Sequence, residues 1–245
     1  MKKILLIFAV LALSVAAFAQ SIDLEELGDL NTIDLTREGS RVETELNFAF
    51  PMYFGWTALT NANAKGPWMN INTPIPASTF DTRKNFVYGL QLADFRIRYE
   101  LLDVSLGLRW TFMDFTFVNS AETFRKTTGA WMPYPIQAET PDYNGKKSKI
   151  HASYFGIPLR VGLDLGSSEV YVGASVEMLT GGYTKYKRPK NRQNAKDLFN
   201  PVRATIEGGF SYGGLGVFVM YGLTPLFQES LSDARTLTFG LLLGL

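Results

Sequence analysis

The chain offers few side chains for catalysis, and two of them stand close together. His151 is its only histidine, cysteine is absent, and Ser153 follows His151 by two residues. On a β-strand this spacing puts both side chains on the same face. A histidine base beside a serine nucleophile is the pairing that ester hydrolysis uses. His151 and Ser153 are therefore the candidate catalytic residues.

The remaining parts of a catalytic site are missing from the pattern. No acidic residue is apparent on the matching face of the neighbouring strand to orient His151, because Glu177 is expected on the opposite face. The sequence contains no second histidine for a metal, no glycine-rich phosphate loop and no strand-turn-helix nucleophile. We therefore expect a non-enzymatic protein without a metal or cofactor.

The composition is unusual for a soluble enzyme. The 245 residues include 24 basic and 23 acidic side chains, 22 glycines and 13% aromatic residues, and only 19% of the chain is charged. Because the charges nearly balance, no nucleic-acid partner is expected. The absence of cysteine excludes disulfide scaffolds, thiolate zinc sites and a lipid-modified N-terminal cysteine. This composition favours a β-rich protein with one apolar face.

Residues 1–19 have the pattern of a cleaved signal peptide. Two lysines precede an apolar stretch that ends at the Ala-Phe-Ala of residues 17–19. The apolar stretch is shorter than the roughly 20 residues of a membrane-spanning helix. We expect residues 20–40 to form an acidic periplasmic N-terminal segment, unstructured or with a short helix, and residues 41–245 to form an outer-membrane β-barrel.

Eight later segments alternate between apolar residues and polar or small ones, as two-faced β-strands do. In the last segment, for example, Phe239 and Leu241 share one face, and Thr238 and Gly240 share the other. The alternation changes phase near residues 93–94, which indicates a β-bulge. The predicted strands span residues 42–56, 86–99, 102–112, 155–165, 170–178, 202–212, 215–223 and 236–245.

Short and long connections alternate between these segments. Tight turns are predicted near residues 100–101, 166–168 and 213–214, and long connections cover residues 58–85, 118–149, 180–201 and 225–234. This distribution is typical of barrels with short periplasmic turns and long extracellular loops. A soluble lipocalin-type barrel is the alternative, but it would turn its apolar side inward. We predict an all-β fold, an eight-stranded antiparallel up-and-down transmembrane β-barrel in the outer membrane of a Gram-negative bacterium.

The polar face of the predicted strands carries charges of both signs. In a barrel as narrow as eight strands these groups should pair, because an unpaired buried charge is costly. We expect a salt-bridged plug that fixes the strand register, and a narrow ion path is the alternative. The predicted network consists of Glu43, Glu45, Arg96, Arg98, Asp103, Arg109, Arg160, Asp164, Glu177, Arg203 and Glu207.

Two groups of basic residues fall on the long-loop side of the predicted barrel. Lysine and arginine neutralise phosphates, so we expect contact with lipopolysaccharide and outer-membrane lipid, and a solvated charged loop is the alternative. A protein partner at these loops or at the periplasmic segment is a further expectation. The basic residues are Lys146, Lys147, Lys149, Lys185, Lys187, Arg188, Lys190 and Arg192.

Residues 150–245 resemble the Bacteroidetes outer-membrane β-barrel family of PorT-like or porin-family proteins. The run Tyr154-Phe155-Gly156-Ile157-Pro158-Leu159-Arg160 is similar to the aromatic-x-Ile-Pro-Leu strand of that family. The sequence departs from the pattern at Leu245, where a terminal aromatic residue is common. The resemblance implies an outer-membrane barrel with no defined ligand and, since PorT serves protein secretion, an accessory role in secretion.

The segment His151-Ala152-Ser153 also resembles the His-x-Ser strand of the lipid A deacylases, another outer-membrane barrel family. That resemblance implies a serine nucleophile, a histidine base and an acidic orienting residue. Because the acidic residue is not found, a lipid A-modifying esterase is the lesser alternative to a structural or partner-binding barrel. A narrow porin-like channel is the other alternative.

Overall fold

The structure is a computed structural model that describes residues 32–34, 42–48, 51–60, 79–127, 129–187, 190–228 and 231–244. The predicted signal peptide lies outside these ranges, and the described residues form an all-β protein. The strands are β1 (Thr32–Asp34), β2 (Val42–Asn47), β3 (Met52–Thr60), β4 (Phe86–Tyr99), β5 (Leu102–Thr116), β6 (Glu122–Thr127), β7 (Ala130–Pro135), β8 (Lys147–Asp164), β9 (Ser168–Lys187), β10 (Asn191–Asn194), β11 (Val202–Tyr212), β12 (Leu215–Gly222) and β13 (Arg235–Leu243). Short 3-10 helices occur at Thr82–Lys84, Ile136–Ala138 and Lys196–Leu198. No helix in the described ranges is long and apolar enough to cross a membrane.

Eight antiparallel strand positions close into a ring, and we call each of these positions a wall. β4 pairs with β3, and the pairing continues through β13, β12, β11, β9, β8 and β5 back to β4. β2 prolongs the β3 wall, since both strands pair with β4. Each wall therefore lies between the walls that precede and follow it in sequence, with the last wall beside the first, which is the connectivity of an up-and-down barrel. The predicted all-β arrangement of eight antiparallel strands is confirmed at this level.

The three predicted tight turns join walls at one end of the ring, which we call the turn end. Gly213 and Gly214 connect β11 to β12 with φ of 55° and 82°, the pair of positive values that a two-residue type I′ hairpin requires. The predicted bulge is also present, because β4 shifts its register against β5 between Gln91 and Ala93. The long connections lie at the opposite end, which we call the loop end.

Strand alternation gives the ring two different surfaces. Outward positions are apolar and exposed, as Trp56, Trp110 and Phe239 show on three different walls. Inward positions in the middle of the ring are polar and buried, as Arg109 and Glu177 show. The interior therefore holds the polar face of the strands, and the outside holds the apolar face.

The loop end differs from the sequence-based prediction. β8 and β9 extend to Lys147 and Lys187 and stay paired there, so several basic residues expected in loops stand on strands. The connection between β5 and β8 contains the β6–β7 hairpin. Phe124 of this hairpin joins a buried apolar cluster with Phe115 and Phe227. This cluster fills the ring with aromatic side chains where only small and charged ones were predicted.

Part of the predicted N-terminal segment belongs to the sheet. Thr32–Asp34 forms β1 and pairs antiparallel with β2, with Ile33 opposite Leu46. At these three residues the segment is an added strand and not an unstructured leader, and the alternative short helix around Leu24, Leu27 and Leu30 lies outside the described residues. The rest of residues 20–40 lies outside the described part of the chain.

Candidate functional site

Two buried carboxylates organise the middle of the ring. Glu177 Oε2 is 2.7 Å from Arg203 Nη1, and Glu177 Oε1 is 3.2 Å from Arg109 Nη2. Glu207 accepts hydrogen bonds from Arg109 Nη1 at 2.5 Å and from Arg160 Nε at 2.7 Å. These five residues of the predicted charge network come from four walls, so their ion pairs connect β5, β8, β9 and β11.

Hydroxyl groups add further hydrogen bonds to this central cluster. Thr111 donates to Glu177 at 3.0 Å, and Ser175 accepts from Arg109 at 2.8 Å. Glu177 is 0% exposed and Arg203 only 1%. Because charged groups so far from water are stable only when paired, the cluster depends on the balance of its charges.

A second charge cluster lies at the turn end, where Arg96 and Arg98 face six carboxylates. Those within 4.0 Å of the two guanidiniums belong to Glu43, Glu45, Asp94, Asp103, Asp164 and Glu169. Asp94 and Glu169 were not in the predicted network, because one lies at the bulge and the other just before a predicted strand. No group of three or more histidine or acidic side chains suited to a metal occurs among the described residues.

The basic residues predicted to contact lipopolysaccharide stand at the loop end. Lys147 lies opposite Lys187, and Lys149 opposite Lys185. Like charges directly across a strand pair repel each other, so an anion near them would be stabilising. Lys149 already has an anionic partner, because it donates a hydrogen bond to the carboxylate of Asp114. The other basic residues in the described ranges, which are exposed, are Lys146, Lys190 and Arg192, and Arg188 lies outside those ranges.

His151 and Ser153 occupy outward positions of β8 near the loop end. They are only 8% and 9% exposed, because neighbouring side chains cover them. The ring of Tyr183 stacks on His151 with centroids 4.6 Å apart, and the ring of Phe112 lies on the same imidazole at 6.2 Å. The two candidate residues are therefore covered by their neighbours, although they lie on the outward face.

Asp114 on β5 is the acidic residue that the sequence did not reveal. It stands directly opposite His151 in the β5–β8 register, and its Oδ1 lies 2.7 Å from His151 Nδ1. The expectation that no carboxylate orients His151 is therefore wrong. Asp114 has the same strand parity as Trp110 and Phe112, so a predicted strand two residues longer would have placed it on the outward face.

Ser153 and His151 line one cavity of about 610 Å³ at the loop end, together with Arg192 and Lys196. Thr180 Oγ1 donates to Ser153 Oγ at 2.9 Å, and the Ser153 hydroxyl donates to a backbone carbonyl at 3.5 Å. No hydrogen bond joins Ser153 to His151 within the described ranges. The site thus holds a hydroxyl nucleophile, a histidine with its carboxylate and two cations around one space.

Comparisons with known proteins yield a distant similarity to a solved structure. No family model and no curated protein matches the chain. Among solved structures, the crystal structure of Neisserial surface protein A (NspA) is similar over 84% of this chain and 98% of that chain, at 8% identity and a TM-score of 0.32. At these values the similarity carries no conclusion about this chain. The structure of this chain itself defines its class: it is an all-β closed ring with a charged interior and an apolar outer face.

Proposed function

We propose that this chain is an outer-membrane β-barrel protein whose eight walls span the membrane. The observation that carries the proposal is the extended apolar outer face. On β5 every outward residue from Leu102 to Phe112 is apolar, over about 33 Å of strand. At the tilt of about 40° usual in barrels this is about 25 Å of height, the height of the apolar band of outer-membrane barrels. Ionisable outward residues begin just beyond it, at Asp114 and His151.

Water is a poor solvent for this outer face. Trp110 on β5 is 39% exposed, and Val172 and Met178 on β9, on the other side of β8, are 65% and 67% exposed. Soluble proteins seldom expose apolar surface so extensively. Lipid suits such a surface, and a closed ring satisfies its strand hydrogen bonds internally, as a spanning structure must. Both properties support membrane placement.

Within this class we propose a non-enzymatic role in membrane structure or in binding a surface partner. Side chains occupy the interior at the turn end, where Asp103 is 2% exposed, and in the middle, where Arg109 and Glu177 are at most 1% exposed. At the loop end Phe115 is 0% exposed. An eight-stranded barrel has interior room only for side chains, which argues against a channel. The basic residues at the loop end would contact lipopolysaccharide, and an accessory role in secretion is compatible with this placement.

Quenching by brominated lipid tests the membrane placement. Single-tryptophan variants would retain Trp56, Trp110 or Trp131, with the other tryptophans replaced by phenylalanine. In vesicles of lipid brominated in its acyl chains, we expect strong quenching of Trp56 and Trp110, which are about 40% exposed on the outer face. Trp131 is the internal control, since it is 4% exposed in the interior cluster. Equal quenching of all three tryptophans would refute the placement.

Ester hydrolysis is a second candidate function, favoured by the contact of 2.7 Å between His151 Nδ1 and Asp114 Oδ1. A carboxylate at Nδ1 orients the imidazole and stabilises the imidazolium that forms when histidine takes the proton of a serine. Ser153 would turn its hydroxyl toward Nε2 of His151 and attack an ester carbonyl. The alcohol would leave with that proton, and water would then release the acyl group from Ser153. A lipid A-modifying esterase would use this chemistry.

Fatty-acid release from lipid A tests this second candidate. Ser153→Ala should abolish release, and Asp114→Asn should slow it by roughly 10²–10⁴-fold, because the imidazole loses its orienting charge. Ser168→Ala, at the turn end of β9, is a matched control that should leave the rate unchanged. If the wild-type protein releases no fatty acid, or if Ser153→Ala releases as much, hydrolysis at this site is ruled out.

A further inference from the structure

The cavity beside His151 has a lining that ester hydrolysis alone does not require. It lies at the loop end, among residues of β8, β9 and β10, and its lining includes two cations, several hydrogen-bond donors and no carboxylate. A partly open cavity with this chemistry suits an anion. The side chains that can donate into it include Ser153, Thr180, Arg192, Asn194 and Lys196.

The two cations have no acidic partner within the described part of the chain. The guanidinium carbon of Arg192 lies 3.8 Å from the centroid of the Tyr183 ring. This cation–π contact orients Arg192 and leaves the N–H groups at its edge available to a ligand. Lys196 lines the same cavity, so two positive charges face one space.

The carboxylates nearest the cavity are already engaged. Asp114 binds His151 and Lys149. Asp197, next to Lys196, accepts a hydrogen bond from Lys126 at 2.5 Å. Burial acts to raise the pKa of Asp197, but the hydrogen bond and the charge of Lys126, together with the Trp131 side chain and a backbone hydrogen bond, hold this pKa below its usual range. Both carboxylates therefore have cationic partners of their own, and the cavity keeps its positive charge.

The hydroxyl groups are arranged to donate to an anion. The single hydroxyl hydrogen of Thr180 is shared between Ser153 Oγ at 2.9 Å and the Ser153 carbonyl at 3.0 Å, so the Ser153 hydroxyl keeps its own hydrogen to donate. Its present acceptor, a backbone carbonyl at 3.5 Å, is farther away than the range of strong hydrogen bonds. A charged oxygen in the cavity would be a better acceptor.

We propose that this cavity binds a phosphate group, supplied by the phosphate monoester of a membrane lipid or by inorganic phosphate. Arg192 and Lys196 neutralise its charge, and Ser153 donates a hydrogen bond to one of its oxygens. Charge-assisted bonds of this kind are roughly twice as strong as neutral ones.

The position of the cavity favours the lipid as the source. Ser153 stands one outward position beyond Phe155, and Phe155 pairs with the exposed Met178 of β9. The cavity therefore begins where the apolar outer face ends, and Phe155 and Met178 offer apolar surface to an acyl chain. The choice of a lipid rests on the proposed membrane placement, whereas phosphate binding itself does not.

Calorimetric titration of the full-length protein in non-ionic detergent tests the proposal. The probes are inorganic phosphate and phosphatidic acid in mixed micelles, with phosphatidylcholine, a phosphodiester, as the reference lipid. We expect the double variant Arg192→Gln/Lys196→Gln to bind at least about tenfold more weakly than wild type, equivalent to about 1.4 kcal/mol. The matched control is Arg83→Gln/Lys84→Gln, which removes the same charge from the turn at Thr82–Lys84 and should leave binding unchanged.

The outcomes separate the source of the phosphate from the existence of the site. Binding of phosphatidic acid alone assigns the site to a lipid headgroup, and binding of inorganic phosphate assigns it to the phosphate group whatever its carrier. If the two double variants weaken binding equally, general positive charge explains it and the proposal is overturned. Failure of wild type to bind either probe overturns it as well. If the tryptophan-quenching test fails, the proposed membrane placement is refuted, but this titration still tests phosphate binding.

Discussion

The central charge cluster predicts a large, specific loss of stability when Glu177 becomes Gln. Glu177 is fully buried and is the carboxylate bound to Arg203, which is itself 1% exposed. Glu177→Gln conserves shape but leaves Arg109, Arg160 and Arg203 with Glu207 as their one nearby carboxylate. Removing one partner from a buried ion pair typically costs about 3–5 kcal/mol, and we expect a loss of that size in the free energy of unfolding.

A second substitution should recover part of this loss. In Glu177→Gln/Arg203→Met the unpaired guanidinium is gone, while Arg109 and Arg160 keep their bonds to Glu207. The double variant should therefore be more stable than Glu177→Gln alone, because an apolar replacement of a buried pair is often close to neutral. The exposed ion pair of Lys126 and Asp197 serves as the control for a pair in contact with water. Lys126→Gln should lower the free energy of unfolding by no more than about 1 kcal/mol.

Urea titration of the refolded protein measures these differences, with tryptophan fluorescence and heat-modifiable gel migration as two independent probes of the folded state. The reasoning is refuted if Glu177→Gln costs no more than Lys126→Gln. It is also refuted if the double variant is less stable than the single one, because the cost would then not arise from an uncompensated charge.

Three further predictions concern the ring, the buried apolar cluster at its loop end, which we call the apolar plug, and the permeability of the ring. Gly240→Ala should destabilise the fold by about 1–3 kcal/mol, because a Cβ there would collide with the backbone of Phe54 across the β13–β3 pair. Gly208→Ala is the control for the same urea titration. It should be tolerated, because the nearest neighbour of a Cβ at Gly208 is 3.6 Å away. Phe124→Ala should lower the free energy of unfolding by about 3–5 kcal/mol and make the β6–β7 hairpin accessible to protease. Met132→Ala, at an exposed position of the same hairpin, should not change the cleavage rate. Planar-bilayer recordings of the wild type should show no steady conductance, and discrete open-channel steps would contradict a filled interior.

The walls were predictable because a strand with one apolar and one polar face leaves a period of two in the sequence. The same pattern predicted a bulge near residues 93–94, and the register shift lies beside it, between Gln91 and Ala93. It could not predict the apolar plug, because Phe80, Phe124 and Phe227 lie outside the wall strands, in connections that have no period. Their burial depends on the space that the closed ring leaves at its loop end.

Asp114 shows the corresponding limit at the candidate site. Its parity was readable, but its pairing with His151, 37 residues away, depends on the register between β5 and β8. The predicted strand also stopped two residues short of it. The stacking of Tyr183 on His151 and of Arg192 on Tyr183 depends in turn on the bulge near Ser153 and on β10, neither of which leaves a clear pattern.

By itself, the sequence determined the two faces of each wall, the positions of the turns and the presence of both signs of charge inside, because these properties follow from local periodicity and residue type. Tertiary structure alone decided which guanidinium meets which carboxylate, how the loops fill the mouth of the ring and which groups surround the cavity at His151. These contacts join residues distant in sequence, and only closure of the ring sets the register that brings them together.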